Sequence, residues 1–255
     1  SEVLLVEDNE INRMVAQELL AGMGVDAVCA ESGLDALRIL GQRRFRAVLM
    51  DIQMPGIDGV ETTRRLKRDP ALRDMPVIAL TAHAMVGDRQ RFLDIGMDDY
   101  LSKPVEESEL MRVLARWLPH HAEADAAAAD VESGERQDPM VELPGVDVAT
   151  ALARVNGKTA LLWQLLDGFR QRHAQAATRL REMIANGQAQ AALDLAHTLK
   201  GAAAALAAQR IADAALRVES ALRRQESADA ELAELAAALA QLSARCSAVR
   251  LLSLR

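Results

Sequence analysis

Five polar residues interrupt the apolar runs in the first half of the chain, and their types invite chemistry. Glu7 and Asp8 follow LLV, Asp51 follows VLM, Thr81 follows VIAL, and Lys103 with Pro104 follows YLS. If each run is a strand of one parallel sheet, these residues stand at its carboxyl ends, the edge where open α/β sheets bind ligands. Three converging carboxylates repel one another unless a cation is shared. A hard divalent ion suits them, and Mg2+ keeps several waters and takes phosphate oxygens as co-ligands. Glu7, Asp8 and Asp51 are the expected side-chain ligands, with the backbone carbonyl of Gln53 as a further oxygen. Asp51 is the expected nucleophile, since an aspartate carboxylate can attack a phosphoryl group and form an acyl phosphate. Lys103 would offset charge on the transferring group. Thr81 would offer its hydroxyl to a phosphoryl oxygen, a contact that exists only after phosphorylation and so can act as a switch.

A second candidate lies in "LDLAHTLKGAAAALAA". His197 falls in mid-helix with Lys200 at i+3 and Gly201 at i+4, positions that share one face. An imidazole nitrogen accepts phosphate well when its other nitrogen is oriented. Lys200 would compensate the added charge, and Gly201 with the neighbouring alanines keeps the surface low enough for another domain's pocket to close over the ring. Leu195, Leu199 and Leu206 are left for the core, and no residue declares itself as the orienting partner of the imidazole. His83, His120, His121 and His173 lack such companions and lack metal-ligand spacing, so surface or packing roles are expected of them.

Two kinds of element must carry these residues. Short apolar runs at Val3–Val6, Val25–Cys29, Ala47–Met50, Val77–Leu80 and Asp98–Leu101 alternate with stretches of helical period, which predicts an α/β domain with a parallel sheet covered on both faces. From Val146 the pattern is helical: a short helix from about Asp147, then helices over 158–185, 188–206, 209–224 and 229–249. Short turns between long helices predict a four-helix bundle. The alanine-rich, acidic stretch between the two halves reads as a linker. The expected division is 1–118, a linker over 119–142, and 143–255.

Composition narrows the function. A net charge of −7 offers no basic footprint for nucleic acid, and no apolar run reaches the roughly 18 residues that a membrane helix needs. Cys29 and Cys246 lie far apart and read as core residues of a reducing compartment, hence a cytoplasmic location. The opening on a strand, without leader or initiator methionine, leads us to expect a piece of a longer protein.

The motifs "LLVEDNEINR", "VLMDIQMPGIDG", "VIALTAHA" and "YLSKP" closely resemble response-regulator receiver domains, especially those attached to hybrid sensor kinases, over roughly Ser1 to Leu118. "AHTLKGAA" resembles histidine-phosphotransfer (HPt) domains, over about Leu143 to Arg250, with Ala205 where many members carry a polar residue. The resemblance implies a flavodoxin-like (βα)5 sheet of order 2-1-3-4-5 followed by an HPt bundle, Mg2+-dependent acyl-phosphate chemistry, and a cis peptide before Pro104. It also casts Tyr100 as the mobile aromatic of the receiver switch.

The expected function is a two-component phosphorelay. Asp51 takes phosphate from the histidine of an upstream kinase core in the same parent chain, and His197 passes it to the receiver of a separate response regulator. The parent protein is expected to be bacterial and anchored in the inner membrane. No glycine-rich ATP-binding segment is present, so the chain should not use ATP as a kinase. One rival is a binding module whose receiver regulates a partner when Asp51 is phosphorylated. Another, an aspartyl-nucleophile phosphatase, calls for a second Asp two residues after the nucleophile, where this chain has Gln53.

Overall fold

The computed structural model describes residues 2–82, 88–118 and 143–252. The region expected to be a linker, and with it His120 and His121, lies outside the described residues, as does His83. The chain divides into two compact units.

The first unit alternates strand and helix: β1 (Glu2–Val6), α1 (Glu10–Gly22), β2 (Asp26–Ala30), α2 (Gly33–Leu40), β3 (Ala47–Asp51), α3 (Gly59–Arg68), β4 (Val77–Thr81), α4 (Asp88–Ile95), β5 (Asp99–Ser102) and α5 (Glu107–Trp117). All strand pairs are parallel, in the order β2-β1-β3-β4-β5. Helices cover both faces, and so the central strands carry continuous apolar residues: Val3 to Val6 and Val77 to Ala79 have no exposed surface. The register sets the functional edge. Val6 pairs with Met50, Asp51 with Leu80, and Thr81 with Ser102, which brings the residues after LLV, VLM, VIAL and YLS to one end of the sheet.

The helices that start at this edge are capped from the sequence. Asn9 accepts from the backbone of Ile11 and Asn12 to open α1, and Asp58 accepts from Glu61 at 2.7 Å to open α3. Gly59 begins α3 hard against the end of β3, where a Cβ would lie 2.1 Å from the Asp51 carbonyl oxygen. Only a residue without a side chain allows that approach.

The second unit is helical: α6 (Val148–Arg154), α7 (Thr159–His173), α8 (Ala176–Ala185), α9 (Ala189–Ala205), α10 (Gln209–Arg223) and α11 (Asp229–Leu252). The helix expected over 158–185 is two helices. Gln175 leaves helical backbone at φ −108° and ψ 15°, and no Gly or Pro marks the break. Counting α7 and α8 as one interrupted arm, the unit is a four-helix bundle, with α9 between α8 and α10 and α11 closing the ring. Its core is built from leucine and alanine around Phe169, including Leu166, Leu180, Ala196, Leu199 and Ala203. Leu195 is only half-buried. Arg154, 7% exposed, donates to the carbonyls of Ala204 and Ala205 at 2.6 and 3.2 Å, capping the end of the helix that bears His197.

Candidate functional sites

The loop after β1 and the end of β3 bring Glu7, Asp8 and Asp51 together, with one oxygen from each lying within 4.8 Å of the others. Glu7 and Asp51 are 2% and 3% exposed. Lys103 reaches in after β5, its Nζ 2.7 Å from Asp51 Oδ2 and 2.5 Å from Glu7 Oε2. The backbone N–H of Gln53 donates to Asp51 Oδ1 at 3.1 Å. The peptide between Lys103 and Pro104 is cis, as the receiver resemblance implied.

The electrostatics follow from crowding. Burial pushes the Asp51 carboxyl up to about 7 against the pull of the Lys103 ammonium, and Glu7 adds to the rise. Burial also raises Asp8, again with help from Glu7. For Lys103 burial works against the charged form, but the attraction of Glu7 and Asp51 outweighs it and its value rises. Three carboxylates share one ammonium, and the all-oxygen donor set fits a hard divalent cation.

On α9 of the other unit, His197 Nδ1 lies 3.2 Å from Glu219 Oε1 on α10. Lys200 donates to Glu219 Oε2 at 2.8 Å, and Arg223 donates to Oε1 at 2.7 Å. Glu219 itself is 2% exposed. Burial works to raise its carboxyl, but the hydrogen bonds from His197, Lys200 and Arg223 prevail and hold it well below the usual carboxylate range. A carboxylate at Nδ1 selects the tautomer with its proton there, which leaves Nε2 with the free lone pair.

Family comparison agrees with both units. The model for "Response regulator receiver domain" matches residues 3–115, and the model for "Hpt domain" matches residues 164–245. The response regulator DivK of Brucella anthropi is 39% identical over 116 residues, covering 46% of this chain and 94% of that protein. The chain belongs to the response regulator receiver family. Its helical unit is an Hpt domain. A longer relative matches across much of both units: the signal transduction histidine-protein kinase BarA of Shigella flexneri is 33% identical over 200 residues, 78% of this chain. The chain spans 21% of the length of BarA, and 13% of the sensor protein GacS of Pseudomonas syringae, to which it is 43% identical over 118 residues, 45% of this chain. Among solved structures, the receiver domain of a sensor histidine kinase from Pseudomonas aeruginosa PAO1 is 42% identical, covering 46% of this chain and 97% of that one, with a TM-score of 0.43.

Within the receiver domain the structure gathers Glu7, Asp8, Asp51 and Lys103 into one cluster and sets Thr81 beside it in the ladder, 7% exposed, its carbonyl accepting from the Lys103 amide at 2.7 Å. Tyr100 is half-buried against Phe92, with ring centroids 6.4 Å apart. In the Hpt domain His197, Lys200 and Gly201 share the α9 face as their spacing required. His173 is a packing residue, 4% exposed with its ring 4.8 Å from that of Phe169. Ala205 is buried at 6%, and Cys29 and Cys246 are free thiols.

Sequence reasoning missed two groups. Glu219 supplies the orienting carboxylate that no residue near His197 in sequence provides. Its signal was a lone acid in an apolar helical stripe, i+4 from Ala215 and i+7 from Ala212, both buried. A carboxylate placed there must find cations or stay neutral. Asn12 and Arg13 were also passed over: Asn12 donates to Glu7 Oε1 at 2.9 Å, and Arg13 to the Glu7 carbonyl at 2.8 Å.

Proposed function

We propose that the chain is a two-site segment of a phosphorelay. Asp51 receives a phosphoryl group from the histidine of an upstream kinase core, and His197 passes one on to the receiver of a separate response regulator. In the first step the phosphorus–nitrogen bond of the donor breaks as a phosphorus–oxygen bond to Asp51 forms. His197 is loaded when its Nε2 attacks an aspartyl phosphate and the carboxylate leaves, and it passes the group on when that phosphorus–nitrogen bond breaks as the acceptor aspartate of the response regulator forms a phosphorus–oxygen bond. The reading rests above all on one observation, the Lys103 ammonium 2.7 Å from Asp51 within a buried acidic cluster.

Glu7, Asp8, Asp51 and the Gln53 carbonyl would hold Mg2+. Bound there, the ion would supply charge neutralisation for the phosphoryl oxygens. Lys103 then turns from Asp51 to a phosphoryl oxygen, and Thr81 donates its hydroxyl once the acyl phosphate exists. Tyr100 responds to that contact as the switch aromatic. Glu219 holds the His197 ring and its tautomer, Lys200 offsets the incoming charge, and Gly201 leaves room for the docking receiver. The domain limits we adopt are 1–118 and 143–255, with a linker over 119–142. The kinase core is assigned to the same parent chain, cytoplasmic in its signalling part and anchored in the bacterial inner membrane. Among the described residues no helix is long and apolar enough to cross a membrane.

Intact-mass measurement with a small-molecule phosphodonor and Mg2+ tests the reading on the wild type, Asp51→Asn and His197→Gln. Loss of the Mg2+-dependent adduct in Asp51→Asn, with loss of a separate acid-labile adduct in His197→Gln, supports the relay. Adducts unchanged in both variants overturn it in favour of a binding module.

A further inference from the structure

The two oxygens of the Glu7 carboxylate are held by different kinds of donor. Oε2 accepts from the Lys103 ammonium, and Oε1 accepts from the Asn12 side-chain amide at 2.9 Å. Asn12 sits in the first turn of α1, which the Asn9 cap fixes by accepting the Asn12 backbone N–H at 3.2 Å. The next residue, Arg13, donates to the Glu7 carbonyl at 2.8 Å and places its other arm on Glu31. One helical turn therefore grips both the side chain and the main chain of Glu7.

The two donors differ in consequence. An ammonium fixes a carboxylate by offsetting its charge, and so competes with a metal ion for it. A neutral amide fixes the same carboxylate and leaves the charge in place. Lys103 also bonds Asp51, and it must leave that oxygen to meet a phosphoryl group. Through that movement Asn12 is the donor that stays on Glu7. We propose that Asn12 is a positioning residue for the divalent-cation site, an inference that rests on the reading of this pocket as a Mg2+ site. It keeps Glu7 aimed into the pocket while Lys103 exchanges partners.

The test is the Mg2+ affinity of the full chain, read from the amide resonances of Asp8 and Gln53 during titration with MgCl2. The variants are Asn12→Leu, which removes the donor at similar volume, Asn12→Ala, which does so without bulk, Asn12→Gln, which keeps an amide, and Asp8→Asn. Loss of a hydrogen bond to a charged acceptor should raise the Mg2+ dissociation constant about ten- to a hundredfold in Asn12→Leu and Asn12→Ala, with partial recovery in Asn12→Gln. Phosphorylation at saturating Mg2+ should stay near wild type while its half-saturating Mg2+ concentration rises. Wild-type affinity in both Asn12→Leu and Asn12→Ala, with binding lost in Asp8→Asn, overturns the role of Asn12 alone. Wild-type affinity in Asp8→Asn overturns the metal site itself. A lowered melting temperature in the Asn12 variants with unchanged Mg2+ affinity assigns Asn12 to stability and also overturns the proposal.

Discussion

Glu219 lies 22 residues from His197 in sequence and 3.2 Å from its Nδ1 in the fold. A buried carboxylate in that position does two things. On the proposed relay, it selects the tautomer whose Nε2 would attack, and it would stabilise the ring as charge develops on it. Replacing Glu219 by Ala should lower the rate of phosphotransfer to His197 about 10- to 100-fold, while Glu219→Gln, which keeps an acceptor, should fall between. Single-turnover transfer from a phosphorylated receiver measures this. Glu219→Ala should also destabilise the Hpt domain by roughly 2–4 kcal/mol, because Lys200 and Arg223 lose their partner.

The acidic pocket holds more negative charge than Lys103 offsets. In the absence of divalent cation, Asp51→Asn should therefore stabilise the receiver domain, by about 1–2 kcal/mol. Saturating Mg2+ should raise the wild-type melting temperature and close the gap. Calorimetry with and without EDTA distinguishes these cases, and a variant less stable than wild type in EDTA would contradict the argument.

The glycine at position 59 should resist replacement. A Cβ there meets the Asp51 carbonyl at 2.1 Å, and both partners are backbone, so neither can swing away. Gly59→Ala should cost at least about 2 kcal/mol and displace Asp51, the nucleophile of the proposed relay, lowering phosphorylation even where the chain still folds. Urea denaturation together with phosphorylation at saturating Mg2+ reads both effects.

Acid should weaken the Hpt domain through His173. Burial beside Phe169, with Arg172 and Arg179 nearby, lowers its value to about 4 from an ordinary 6.5. The folded state thus refuses a proton that the unfolded chain accepts. Its contribution is fully present above pH 6.5 and is lost as pH falls toward 4, on the order of 3 kcal/mol in all. In a Trp117→Phe background Trp163 is the one tryptophan, and it reports on the helical unit. Urea midpoints from its fluorescence at pH 7 and pH 5 should differ in the His173 protein and converge in His173→Phe.

Much of the receiver was legible because its chemistry sits at positions that local pattern defines. An apolar run that stops at Glu7, Asp51 or Thr81 marks a strand end, and strand ends of a parallel sheet meet at one edge. The Hpt histidine was legible through its i+3 and i+4 neighbours, which helical geometry alone places. Contacts across helices carry no such period: the pairing of His197 with Glu219 depends on how α9 rotates against α10, a tertiary choice. The break after His173 was hidden for a related reason, since "QRHAQAA" has good helix formers throughout and only backbone geometry at Gln175 reveals it.

The ladder that pairs Val6 with Met50 and Asp51 with Leu80 has one more consequence. The separation between Glu7 and Asp51 is inherited from hydrogen-bonded main chain, not from the shapes of the side chains beneath it. A slip of one residue would turn Asp51 to the opposite face and abolish the pocket at a stroke. Exchanges among Val, Ile and Leu in the strands leave the ladder alone. The geometry of the acidic cluster is thus insulated from gradual drift in the core, and sequences can diverge widely around an unchanged site.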